Sequence, residues 1–447
     1  MKKLIKKILG KTFSPSSPLY ETYHKTRGIG AAALAGFPSR KMVVIGVTGT
    51  NGKTTTCNLL ANILEEAGEK VGLATTVNFW LGKNRWINET KMTTFSPFQL
   101  QKLLRKMASA KCRYAILETS SHALAQHRVI GVDYDLAVFT NLTPEHLDFH
   151  ITFEDYRDAK LKLFQKLFLS RRKTNTPKVA VINSDDPSAQ FFTQIAADKT
   201  YLYSVNEFLG TTTTSNTVSA KIVSEDETGT VFDISTPLGD ITIHLHLPGN
   251  FNVQNALAAI SAALALGITL DNIKQGLEKV TTVPGRMERI DAKQPFTVIV
   301  DYAHTPDGFT QALSTARTFT KGKLISVFGS AGDRDKLKRP LLGEVASKYC
   351  DTIILTEEDP GSENPLDIIE SIKKGIPPNF RESVNLFTVP NRKDALVKAF
   401  QIAKSQDTVM LLAMGAQTKM ATKKGLIPYN ERQFAQNLLE SIVRHTT

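Results

Sequence analysis

Cysteine is scarce: three residues in 447, Cys57, Cys112 and Cys350, stand far apart and form no CxxC pair. That excludes a disulfide framework and a structural zinc site and points to a reducing compartment, the cytoplasm. Long apolar runs are missing too. None approaches the ~20 residues that a spanning helix needs. Acidic residues are nearly absent from one end: residues 1–40 hold eight Lys or Arg against Glu21 alone, which accounts for more than half of the net charge of +12. The remainder has the balance of an ordinary enzyme, so a nucleic-acid partner is not expected. Within the basic leader, Leu4, Ile5, Ile8 and Leu9 can share a helical face opposite Lys2, Lys3, Lys6 and Lys7, as in a weak membrane-surface contact, or the leader is a solvated tail. Its apolar part is too short for a cleaved signal peptide, and the small-residue stretch from Gly28 to Phe37 reads as a short buried helix.

What is present is a soluble globular composition, 41% hydrophobic and 22% charged. The length implies two or three domains. The chain is organised around Thr48-Gly49-Thr50-Asn51-Gly52-Lys53-Thr54-Thr55. The run Met42–Val47 ahead of it suits a buried parallel strand, and Leu59, Leu60, Ile63, Leu64 and Ala67 recur behind it at helical spacing. A strand, a glycine-rich turn and a helix start form a phosphate cradle. Gly49 and Gly52 admit the anion, free N–H groups face it, Lys53 adds charge, and the Thr54 hydroxyl suits magnesium. The spacing is unusual, because Val47 stands where the common motif has glycine. Strands at Val71–Ala74 and Tyr114–Leu117, a helix from Pro97 to about Ala110, and a loop or hairpin between Thr75 and Thr94 follow. Glu118 stands just beyond its strand, where open parallel sheets place ligands, and His146 follows the strand Ala137–Phe139. Both can reach a magnesium ion near Thr54. Taken alone, His146 is more often a structural loop histidine, and Lys160 is only a helix lysine among polar neighbours.

The nucleotide loop resembles that of the Mur ligases and folylpolyglutamate synthetases. The stretches Glu118–Arg128, Phe139–Leu142, Tyr156–Phe164, Leu247–Ala256, Gly285–Glu288, Asp301–Pro306 and Gly332–Lys336 are similar, in order and spacing, to motifs of the Mur ligase branch that adds the third residue of the peptidoglycan stem. The resemblance covers about residues 41 to 435. It implies an α/β fold with a short N-terminal segment (1–40), a central ATPase domain with a parallel sheet (41–283), and a C-terminal Rossmann-like domain (284–447) hinged near Val283-Pro284-Gly285. It also implies an ATP-dependent acid–amino-acid ligase that activates a muramyl-peptide carboxylate as an acyl phosphate, with Mg2+ required and a monomer expected.

By the same resemblance Lys160 aligns with a carbamylated lysine, and Thr54, Glu118 and His146 join it around magnesium. Asn252, Asn255, Arg286, Asp301 and His304 contact nucleotide together with Gly49 to Thr55. Thr93, Thr94, Ser120, Gln126 and Arg128 hold the muramyl-peptide, while Arg334 and Asp359 meet the amino acid. Four departures stand out. About 45 residues precede the loop, too few for the family's uridine-binding domain, and Met92 replaces an asparagine. In the motif Glu358-Asp359-Pro360-Gly361, Gly361 replaces the arginine of the diaminopimelate-adding branch, and Ala413-Met414-Gly415-Ala416-Gln417 lacks that branch's glutamate. An acidic pocket without that arginine favours a cationic or neutral amino acid side chain unless another base, such as Lys419 or Lys423, reaches in. A ligase acting on a lipid-linked muropeptide or a folate-type acceptor, and a nucleotide-binding subunit without activity, are the competing readings.

Overall fold

The structure is a computed structural model and describes residues 18–205 and 216–446. The apolar leader positions 4–9 and most of the polar tip 211–217 lie outside them. Two sheets dominate. The larger has eleven strands: β1 (Val43–Thr48), β2 (Val71–Ala74), β3 (Asn78–Leu81), β4 (Asn84–Ile87), β5 (Tyr114–Glu118), β6 (Leu136–Phe139), β7 (Val179–Asn183), β8 (Lys199–Ser204), β9 (Thr217–Asp226), β10 (Gly229–Thr236) and β11 (Gly239–Leu245), in the order β11-β10-β9-β8-β7-β6-β1-β5-β2-β3-β4. The central strand β1 runs parallel to β5 and β6 on either side. With helices on both faces, Val44, Ile45 and Val47 are fully buried, which is why this stretch reads as an unbroken apolar run.

The second sheet holds β12 (Glu288–Ile290), β13 (Thr297–Asp301), β14 (Leu324–Phe328), β15 (Thr352–Leu355), β16 (Leu386–Thr388) and β17 (Thr408–Leu412), in the order β12-β13-β17-β14-β15-β16. It is parallel except for β12. A small hairpin, β18 (Lys419–Thr422) and β19 (Gly425–Pro428), follows. The α/β class and the second parallel sheet expected from sequence are both present.

Several details differ. Residues 201–246, whose alternation of polar and β-branched types reads as antiparallel strands, are not all antiparallel: β8 is parallel to both β7 and β9, and antiparallel pairing starts only at β9–β10. Alternating polar and β-branched residues fit either pairing, so the pattern could not choose. Glu118 is the last residue of β5 rather than the first beyond it. The expected short buried helix from Gly28 is the end of a longer one, Pro18–Ala35, with Ala31 and Ala32 buried but Ile29 and Leu34 exposed. Among the described residues no helix is long and apolar enough to cross a membrane.

Candidate active site

The carboxyl end of β1 opens into the phosphate loop, and Gly52 sits at φ +82 immediately before the helix Lys53–Glu66. A side chain there would strain the backbone and collide with the amide of Asn255. The helix start therefore lies against Asn255 of the helix Asn250–Ala265, whose own amide donates to Asn252 Oδ1 at 3.2 Å. Asn51 ties the loop outward: its N–H donates to Asn141 Oδ1 at 2.9 Å and its amide donates to Asp307 Oδ2 at 2.6 Å. Asp307 belongs to the second sheet's first helix, Pro306–Phe319, so one loop residue holds both halves of the molecule. The cleft between them is lined by Gly52, Thr55, Asn255, Arg286 and Asp301, among others.

Two lysines converge on the loop. Lys53 Nζ donates to Gly49 O at 2.9 Å and Thr50 O at 2.7 Å, and Lys160 Nζ donates to Gly49 O at 2.6 Å. Lys160 is buried on the helix Phe153–Leu169, which Thr152 caps by accepting from Asp155 N. Burial first, then the charge of Lys53, holds its ammonium well below the usual lysine range, although Glu145 opposes the shift.

The carboxylate of Glu118 is buried and accepts from Thr54 Oγ1 (2.9 Å), Thr76 N (2.7 Å) and Thr76 Oγ1 (2.9 Å). Arg286 Nη2 reaches Thr54 Oγ1 at 3.2 Å. No described residue forms an ion pair with Glu118, and no three His, Cys, Asp or Glu side chains among the described residues cluster for a metal. A buried carboxylate beside a hydroxyl, without a counter-cation, fits magnesium, which takes one or two protein oxygens and completes its shell with water and phosphate.

His146 is not brought against Glu118. Its Nε2 lies 3.6 Å from Glu145 Oε1, and His304 Nε2 approaches the same oxygen at 3.4 Å. Burial lowers His146 to about 3 despite Glu145, so its imidazole is neutral near pH 7 and able to ligate. Burial pushes Glu145 up, but His146, His304 and Lys53 outweigh it and hold the carboxylate well below its usual range.

The remaining candidates fall in two groups. Thr93 Oγ1 accepts from Thr76 Oγ1 at 2.9 Å, Thr94 Oγ1 donates to Glu118 O at 3.0 Å and accepts from Ser120 N at 3.1 Å, and Arg128 bonds Gln126 Oε1 and Thr94 O. Asp301 accepts from the backbone of Met287 and Ala303. Asp359 receives Lys91 Nζ at 2.6 Å on both oxygens, and beside it Lys419 meets Glu89 at 3.0 Å. Arg334 is exposed, and no described residue bonds it. The position of Gly361 (φ +59) is filled by Asp333, which any side chain there would strike.

Sequence reasoning missed Thr76, Lys91, Glu145 and Asp307. Glu145 adjoins His146 and could have been found there, and Asp307 follows the cap Thr305-Pro306. Thr76 and Lys91, in an irregular loop, carried no signal.

The Mur ligase middle domain matches residues 47–263 and the Mur ligase, glutamate ligase domain matches residues 285–415. A UDP-N-acetylmuramyl-tripeptide synthetase of Roseiflexus sp. (strain RS-1) is 41% identical over 92% of this chain and 81% of its own length. A UDP-N-acetylmuramoyl-L-alanyl-D-glutamate–2,6-diaminopimelate ligase of Clostridium tetani is 38% identical over 94% of this chain and 82% of its own. A solved structure of a ligase with the same name superposes with a TM-score of 0.61 at 30% identity, covering 91% of this chain and 79% of that one. With both domain models and these relatives spanning it, the chain belongs to the Mur ligase family of ATP-dependent peptidoglycan ligases.

Proposed function

We propose that this ligase adds the third residue of a peptidoglycan stem peptide, joining an amino acid to the carboxylate of a muramyl-dipeptide in the cytoplasm. The observation that carries the reading is Thr54, Glu118 and Lys160 gathered on one phosphate loop under the second sheet. A carboxylate is a poor acyl donor. Its oxygen attacks the γ-phosphorus of ATP and ADP leaves; the amine then attacks the acyl carbon and phosphate leaves.

Lys53 and the loop N–H groups stabilise charge on the moving phosphoryl group. Thr54 and Glu118 would hold Mg2+, which supplies further charge stabilisation when bound, and His146, which lies by Glu145 rather than Glu118, would join as a water-mediated ligand. Burial lowers the pKa of Lys160, which favours the amine form that takes up CO2, and its carbamate would extend this carboxylate set. The neighbouring Asn252, Asn255, Arg286, Asp301 and His304 receive nucleotide. Thr93, Thr94, Ser120, Gln126 and Arg128 receive the muramyl-peptide. Closure through Asn51–Asp307 keeps water from the acyl phosphate.

On the amino acid side we assign Asp359 and Arg334 as contacts and favour L-lysine, ornithine or a neutral amino acid over meso-diaminopimelate. Gly361 supplies no distal cation, and the seat at Asp359 already accepts one alkylammonium, that of Lys91. The deciding assay is phosphate release by the purified protein, screened over muramyl-dipeptide acceptors and amino acids, with L-lysine and meso-diaminopimelate competing at equal concentration. Phosphate release with no acceptor pair would overturn the ligase step, and incorporation mainly of diaminopimelate would overturn the reading of Gly361.

A further inference from the structure

The helices Pro18–Ala35 and Pro97–Ser109 lie side by side on the large-sheet half of the molecule, and their outer face has an unusual charge pattern. Residues 18–41 carry four Lys or Arg against Glu21 alone, and residues 97–111 carry four and no Asp or Glu. Arg40 bonds Asp133 at 3.1 Å. Large apolar side chains stand out between these cations: Leu34 is 77% exposed, Leu19 64% and Tyr23 54%. The two helices enclose an open groove of about 450 Å³, with a floor of small residues such as Ala35, Gly36 and Ala108, and with Leu34, Lys41 and Arg105 on its rim. Lys41 and Arg105 have no described hydrogen-bond or ion-pair partner. Farther along, Arg27 lies over the exposed ring of Phe98 at 6.0 Å, so the face is continuous.

A solvated charged face does not explain three exposed large apolar side chains on one helix. A protein partner does not explain the lysines, because interface cores are depleted of them. Tyr23 and Phe98 have rings that can stack on bases, but Leu34 and Leu19, the most exposed apolar side chains of the helix Pro18–Ala35, do not stack, which argues against a nucleic acid. Cations that attract phosphate, set around apolar side chains that enter the headgroup boundary, match a membrane surface.

We propose that this face rests on an anionic lipid bilayer, with Leu34 and Tyr23 entering the headgroup region and Lys41 and Arg105 taking lipid phosphate oxygens. The helix Pro97–Ser109 starts three residues after Thr94, so the proposed muramyl-peptide loop lies at the edge of the docked surface. The surface does not depend on which acceptor is used.

The test is sedimentation of the full chain with vesicles of phosphatidylglycerol and phosphatidylcholine, and with phosphatidylcholine alone, at low and high salt. Binding to the anionic vesicles that is lost at high salt is expected. The triple variant K102E/R105E/K106E, which changes exposed side chains only, should partition roughly a hundredfold more weakly. Leu34→Ser should weaken binding several-fold while leaving the salt dependence in place. Circular dichroism and nucleotide binding report whether each variant is folded. Absence of the wild-type chain from anionic vesicles overturns the proposal. So does unchanged sedimentation of a folded triple variant, which would assign binding to residues 1–17, and so does equal binding to both vesicle types, which would remove the charge argument.

Discussion

The two walls of the cleft are built differently. On the phosphate-loop side the polar atoms are buried and bonded to one another: Glu118 by Thr54 and Thr76, Gly49 O by Lys53 and Lys160. On the opposite side, which we assign to the amino acid, the contacts are ion pairs between the halves, Lys91 with Asp359 and Lys419 with Glu89, and they remain partly open to water. Buried groups satisfied by one another are costly to disturb, whereas exposed pairs contribute little and exchange readily. Chemistry common to a family belongs on the first wall and substrate choice on the second. This matches the sequence, in which the loop motifs are intact and the departures cluster at Glu358–Gly361 and Ala413–Gln417.

The contrast predicts a descending series of effects. Lys160→Ala should reduce ligation on the order of a thousandfold while nucleotide binding survives, with partial recovery on adding short carboxylic acids. A fully active variant would break the contrast at its strongest point. Thr76→Val removes the hydroxyl bonds to Glu118 and Thr93 but keeps the Thr76 N–H, and should raise the Mg2+ concentration for half-maximal activity about tenfold. Thr76→Ser should restore it; no shift in Mg2+ dependence would mean that Thr76 only packs.

Acid should act on the first wall. His146 is lowered to about 3 and His150 to about 4, both chiefly by burial, so between those values and the ordinary 6.5 the unfolded chain binds more protons than the folded one. Stability should therefore rise with pH through that window and fall as pH drops from 6.5 toward 4. Urea unfolding across this range checks it, and His150→Phe should flatten the slope. Last and smallest, Lys419→Ala on the second wall should change the KM for the amino acid less than about fivefold, with kcat steady. A kcat collapse there would show that the two walls are not separable.

Much of the first wall was legible because its signals are local. A strand, a glycine turn and a helix start are contiguous from Met42 to Ala67, and Glu118 and His146 follow strands of the same sheet. The contacts that were not legible join distant segments. Thr76 meets Glu118 across 42 positions and Lys91 meets Asp359 across 268, and neither loop has a periodicity to read. Helix Pro18–Ala35 was shortened because small residues between Gly28 and Ala35 signal burial only on the side that packs. The pairing of β8 with β9 escaped because alternation is blind to strand direction.

The filled space at Gly361 also constrains how such an enzyme changes over generations. Asp333 occupies the place that a side chain at 361 would need, and its carboxylate accepts from the Ser362 N–H at 2.8 Å and from the Ser362 hydroxyl at 2.6 Å. Gly361→Arg alone meets a left-handed backbone and a resident carboxylate, so it should lower stability before it can offer a new charge. Asp333 has to yield first, or together. The two positions form an epistatic pair, and a cycle of D333A, G361R and the double variant should show a penalty for G361R that shrinks once Asp333 is gone.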